Sequence, residues 1–151
     1  MADIKLSGGD KLMRALADIA ANMGGGRVDV GFINNATYPK DGTPVAAVAF
    51  WNEFGDPARN RPPRPFFRQM ITKESPDWAA KMAKQAKLTN YDGGRVLGLM
   101  GTDVQGALMQ SIVDFTTPAL SPVTVARKGN SKPLIDTKVM LDNVTFNVEM
   151  D

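Results

Sequence analysis

Only two stretches of this chain alternate apolar with polar residues, and they lie far apart. Val28, Val30 and Phe32 point one way while Arg27 and Asp29 point the other. Near the C-terminus, Val144, Phe146, Val148 and Met150 alternate with Thr145, Asn147 and Glu149. A period of two describes a half-buried strand. Strands so distant in sequence, with helix-patterned segments between them, imply an α+β domain. The expected architecture is a small mixed or antiparallel sheet covered by several α-helices. The terminal strand pairs with 27–34, and 34–44 is a candidate third strand. The 151 residues are read as one domain, 1–151, of a size that buries about 70% of its unfolded surface.

The helical segments carry their own punctuation. Leu12, Leu16, Ile19 and Met23 fall on one helical face over residues 10–23; Ser7 or Asp10 is the candidate cap and Gly24-Gly25-Gly26 the stop. Residues 35–43 are turn-rich and read as a hairpin tip or surface loop. Thr43-Pro44 opens a second helix that should run to Phe54 and stop at Gly55, with Ala46, Ala47 and Ala49 permitting close packing. A third helix is expected to start near Pro65, with a restart at Ser75-Pro76-Asp77. The clearest pattern, Val104, Ala107, Leu108, Ser111, Ile112 and Phe115, predicts a helix over 102–116 with Thr102 as cap. Residues 116–136 hold three prolines and little periodicity, which suggests an extended arm.

Composition removes most catalytic chemistry. There are no cysteines and no histidines, so thiolates, disulfides and the commonest general base and metal ligand are all absent. The acidic residues show no metal-binding spacing. The glycines at 93, 94, 98 and 101 follow no strand and precede no Gly-Lys-Ser/Thr, so they do not describe a phosphate loop. A Ser–Lys hydrolase stays formally open, without any marked pair, and a carboxylate-dependent hydrolase would need convergent acids where these are scattered. The reading is therefore no enzyme, no catalytic residues, no cofactor and no metal. No apolar run approaches the roughly 18 residues of a membrane span, and the N-terminus lacks the order of a secretion signal. The net charge of +2 does not mark the whole molecule as a polyanion binder.

Local charge is less even. The window from Trp51 to Arg68 contains Glu53-Phe54-Gly55, then Arg59, Arg61, Arg64 and Arg68 among Pro62, Pro63 and Pro65, and ends on Phe66-Phe67. The prolines make it stiff and extended, so little ordering entropy is lost on binding. Arginine and aromatic residues are enriched at interface hot spots. Two readings stand: Phe66 and Phe67 anchor a helix start while the arginines are merely solvated, or the arginines form a basic strip facing an acidic protein surface or DNA. A second basic segment includes Arg127, Lys128 and Lys132, with an apolar clip at Leu134-Ile135 and Asp136 or Thr137 as cap of a short helix through Leu141. It reads as a surface loop or as an arm that orders against a neighbour. Asp142, Glu149 and Asp151 suggest charge complementarity between copies, or a solvated strand face.

In order, these pieces resemble the tail-completion or neck family of tailed bacteriophages, also called tail-to-head joining or Z-like minor tail proteins. An Ala-rich helix ends in Asn52-Glu53-Phe54-Gly55, and Arg64-Pro65-Phe66-Phe67 follows. Then come Leu120-Ser121-Pro122 with Thr124, a basic stretch, and Pro133-Leu134-Ile135-Asp136-Thr137 before the last strand. The resemblance covers about 43–150. It implies a virion structural protein, assembled in the host cytoplasm, that forms a ring of typically six copies at the junction of tail tube and head connector. Implied partners are other copies, the tail tube or terminator protein, head-connector or portal-side proteins, and packaged DNA where arginines face the channel. No membrane is implied, and a tail terminator or a small basic DNA-binding protein is the alternative. Where the family often has glycine after Asp-Thr, this chain has Lys138, so its turn geometry is not carried over.

Overall fold

In a computed structural model, which describes residues 8–116, 119–120, 122–129 and 138–151, the two alternating segments pair with each other. β1 (Gly26–Gly31) and β2 (Thr145–Met150) are antiparallel, with Val28 opposite Val148 and Val30 opposite Phe146. That register puts the apolar side chains on one face. Arg27 and Glu149 sit opposite each other on the exposed face and form an ion pair at 2.7 Å. The candidate third strand is not formed among the described residues. Thr37 makes only an isolated bridge to Pro44, and a tight loop closes between them through the Tyr38 N–H to Thr43 carbonyl bond. The Asp41 carboxylate accepts the Thr43 N–H there at 3.0 Å, which lowers its pKa below the ordinary value.

Six helices are described. α1 (Gly9–Met23) matches the expected bounds and ends at Gly24, with φ 56. Its N-cap position is Gly8, with no capping side chain; Ser7 lies outside the described residues and Asp10 is already inside the helix. α2 (Val45–Phe54) starts one residue after the expected proline: Pro44 is the N-cap residue and Thr43 is not. It stops at Gly55, whose φ of 81 lies in the left-handed region that glycine adopts freely.

α3 (Phe66–Leu88) corrects the expected break, because it runs unbroken through Pro76. An interior proline removes one helical hydrogen bond and crowds the preceding turn, at about 3 kcal/mol. Burial on both sides of Pro76 offsets that, with Phe66 and Met70 before it and Ala86 after it inside the fold. α4 (Gly93–Asp114) begins nine residues earlier than its clearest pattern, with the Asp92 carboxylate accepting the Arg95 N–H at 3.0 Å as its cap. Thr102, the expected cap, instead donates to the Gly98 carbonyl inside the helix. The glycines that diluted the pattern serve packing. A Cβ at Gly101 would be driven into the Phe146 ring of β2.

The expected arm at 116–136 contains a helix, α5 (Pro122–Lys128), among its described residues. α6 (Val139–Asp142) follows from Lys138, which sits at the cap position with φ 61 and without a capping side chain. The expected caps Asp136 and Thr137 lie outside the described residues, as do Lys132 and Leu134.

α4 is the spine, lying against α3, both strands, α1 and α6. The main core gathers Val45 and Ala49 of α2, Phe66 and Met70 of α3, Leu108 and Ile112 of α4, then Phe115, Met140 and Val144. Ser111 ties α4 to α3 by donating to the Phe66 carbonyl at 2.7 Å, and Gln105 ties α4 to the start of β2 through the Val144 carbonyl at 2.7 Å. Among the described residues no helix is long and apolar enough to cross a membrane.

Candidate interaction site

The window from Trp51 to Arg68 folds into a joint between α2 and α3, and Glu53 is its centre. Glu53 is only 6% exposed. Its carboxylate accepts the backbone N–H groups of Phe67 and Arg68 at 2.9 and 3.2 Å. Those are the second and third residues of α3, whose own cap residue, Pro65, offers no side-chain acceptor. The first N–H groups of a helix have no partner within it, and the helix dipole favours negative charge there. Glu53 thus caps α3 from 14 residues away. Arg68 completes the arrangement: its Nε donates to the same carboxylate at 2.7 Å and its Nη2 to the Glu53 carbonyl at 3.2 Å. The Arg64 N–H adds a bond to the Asn52 carbonyl at 2.6 Å.

The link between the two helices is folded back, which corrects the expectation of a stiff extended segment. Asp56 and Arg61 exchange backbone hydrogen bonds at 3.0 Å each, and a turn of 3-10 helix (Pro57–Arg59) with left-handed Asn60 lies between them. Prolines 62, 63 and 65 begin only after this closure, so they stiffen the exit and not the loop. A Cβ at Gly55 would press on the Arg61 carbonyl and on Pro63, which makes the glycine a requirement of the fold-back.

The four arginines therefore have different duties. Arg59 pairs with Asp56 at 2.8 Å and lies 5.5 Å from the Trp51 ring centroid. Arg68 is held by Glu53 and lies 5.0 Å from the Phe54 ring centroid. Arg61 is exposed and Arg64 half-buried, and neither has an ion-pair partner among the described residues. Arg64 Nε is buried without a hydrogen bond; burial, and then the positive charge of Arg61, lower its pKa below the usual guanidinium value. Arg127 is exposed on α5, apart in sequence from this group, and Lys128 ends the same helix.

Beside the joint lies an open groove of about 340 Å³, which sequence reasoning did not identify. Ala46 and Ala49 of α2 contribute its small side chains, and Phe50, Phe54, Phe32, Phe66 and Phe67 its bulky ones. The Phe50 and Phe54 rings lie 4.7 Å apart, tilted by 43°, yet remain 59% and 54% exposed. The signal was present: α2 is apolar almost all round, and such a helix is normally buried on more than one side. Its Val45 and Ala49 face the core, which leaves the i, i+4 pair Phe50 and Phe54 facing solvent. Glu53 and Arg68 also line the groove, where they pair with each other. Among the described residues no group of three or more acidic side chains converges as a metal site would require. No protein-family model, curated protein or solved structure matches the chain.

Proposed function

We propose that this chain is a non-enzymatic virion structural protein that forms a ring at the junction of tail tube and head connector in a tailed bacteriophage. Its neighbours would be other copies, the tail tube or its terminator, and head-connector or portal-side proteins. The reading starts from the ordered motifs that resemble the tail-completion family. The observation that carries it is the joint: Asn52–Gly55 and Arg64–Phe67 meet as one physical unit, in which a carboxylate at the end of one helix caps the next. Their order and spacing therefore express a structural need. The joint also leaves two arginines, Arg61 and Arg64, without ion-pair partners among the described residues beside an apolar groove, a combination suited to a protein contact.

Mass measurement and negative-stain imaging of the purified protein, alone and with tails or connectors, test the proposal. Rings or tail-bound copies are expected. A strictly monomeric protein that never joins a virion would overturn it. The DNA-binding alternative draws on fewer cations than the sequence offers, because Arg59 and Arg68 are paired within the chain. Each phosphate neutralised contributes a salt slope of about −0.9, so DNA binding that is weak and insensitive to salt removes that alternative.

A further inference from the structure

Among the described residues the sheet is only two strands wide, and both of its outer edges are open. β1 and β2 touch each other and α4, and no other described element touches either strand. The Asp151 N–H donates to the Gly25 carbonyl at 3.0 Å, one step beyond the Gly26–Met150 pair. In an antiparallel ladder, bonded pairs alternate with unbonded ones. Arg27–Glu149 and Asp29–Asn147 are therefore bonded pairs, whereas Val28, Val30, Phe146 and Val148 turn their backbone N–H and C=O groups outward. Among the described residues no backbone hydrogen bond beyond the ladder uses those groups. Neither strand holds a proline, a lysine or a bulge, three of the devices that keep an open edge from pairing. We infer that the outer edge of β1 in one copy pairs antiparallel with the outer edge of β2 in the next, so that the sheet continues from copy to copy. This inference rests on the multi-copy reading above and names the self-contact that its ring needs.

The occupant is argued from the chain's own pairing, which shows that these two strands suit each other. Because the outward groups belong to Val28, Val30, Phe146 and Val148, the register used within the chain also aligns the two free edges. Val28 then faces the next copy's Val148, and Val30 its Phe146, on the side of the sheet that α4 covers. On the solvent side Arg27 meets the next copy's Glu149, repeating the ion pair formed at 2.7 Å within the chain. A foreign strand would have to reproduce both the apolar and the charged order, and a second copy carries both. Main-chain bonds supply the attraction and the alternating side chains the register, as in other cases of strand addition. The contact joins two different edges, so it is head-to-tail and leaves neither open once a ring closes. A two-fold pairing of β1 with β1, centred on Val28, also sets Arg27 against Asp29, but it leaves β2 open in every copy.

The test follows the full chain at rising concentration by analytical ultracentrifugation and by amide hydrogen exchange. Association is expected. With it the amides of Val28, Val30, Phe146 and Val148 should pass from rapid to slow exchange, while those of Arg27, Asp29, Asn147 and Glu149 are slow throughout. Arg27→Glu and Glu149→Arg each set like charges across the contact and should each weaken association about tenfold. Both side chains are exposed, so the fold survives, which circular dichroism checks. Mixed in equal amounts, the two variants should regain association, because alternating copies restore an opposite-charge pair at every contact. Glu149→Arg associating like wild type would overturn the inference in favour of the two-fold β1 pairing. Loss in both variants without recovery on mixing would overturn it as well. Association that leaves the four outward amides in rapid exchange would also sink it, and the ring reading would then stand on another contact. So would a wild-type monomer at every concentration, while copies bound to tails would still uphold the virion reading.

Discussion

Glu53 is a carboxylate placed where α3 lacks a cap of its own, and it holds Arg68 at the same time. Truncation by Glu53→Ala would leave two backbone N–H groups unpaired near the core and free a guanidinium from its partner. The expected loss is about 2–4 kcal/mol, read as a lower urea midpoint at unchanged m-value. A loss under about 0.5 kcal/mol would mean that water replaces the carboxylate without penalty. Lys138 is the opposite case, a residue working against its backbone. Its φ of 61 costs a side-chain-bearing residue about 1–2 kcal/mol, where glycine pays no steric penalty. Lys138→Gly should therefore raise stability by about 0.5–1 kcal/mol, seen as a higher melting temperature. The sequence marked both positions but neither role. Glu53 was legible as a helix end, whereas its capping partner lies across a loop that no local pattern predicts. Lys138 was legible only as a lysine following Asp136-Thr137, yet it occupies a glycine-like conformation.

Elements were legible where one periodicity ruled and one partner was buried. β2, α1 and α2 appear close to their expected bounds because Gly24 and Gly55 stop the helices sharply and the last strand alternates cleanly, whereas β1 ends at Gly31, three residues short of the expected Asn34. α3 and α4 were underestimated for one shared reason. Proline and glycine read as breaks locally, but long-range burial overrides them. The carbonyl that Pro76 cannot satisfy and the space that Gly101 leaves open become meaningful only once α3, α4 and β2 are packed together. Pro76 is exposed, so its replacement should restore a helical hydrogen bond without disturbing the core. Pro76→Ala is expected to stabilise the protein by about 1–2 kcal/mol, measured by thermal unfolding. No gain would show that the helix carries an accommodated kink at this point, one on which the packing of Trp78 depends.

At the scale of the whole molecule, the basic window divides into cations that hold the fold and cations left over, a division that charge counting cannot make. Arg59 and Arg68 look the same in sequence as Arg61 and Arg64. Only the fold-back at Asp56–Arg61 and the burial of Glu53 assign the first two to intramolecular partners. The exposed ring pair Phe50 and Phe54 was hidden for a related reason, since an apolar helix with one face in the core does not announce that its other face is open. If the unpaired arginines serve neighbours, the pair Arg61→Ala and Arg64→Met should leave unfolding within about 0.5 kcal/mol of wild type, as expected for surface changes that keep the buried stem. The same variant should lose binding to tails or connectors, while Arg68→Ala should lose stability first. Measuring unfolding and tail binding for both variants separates the two classes. Full tail binding by the Arg61 and Arg64 variant would place the contact elsewhere on the surface.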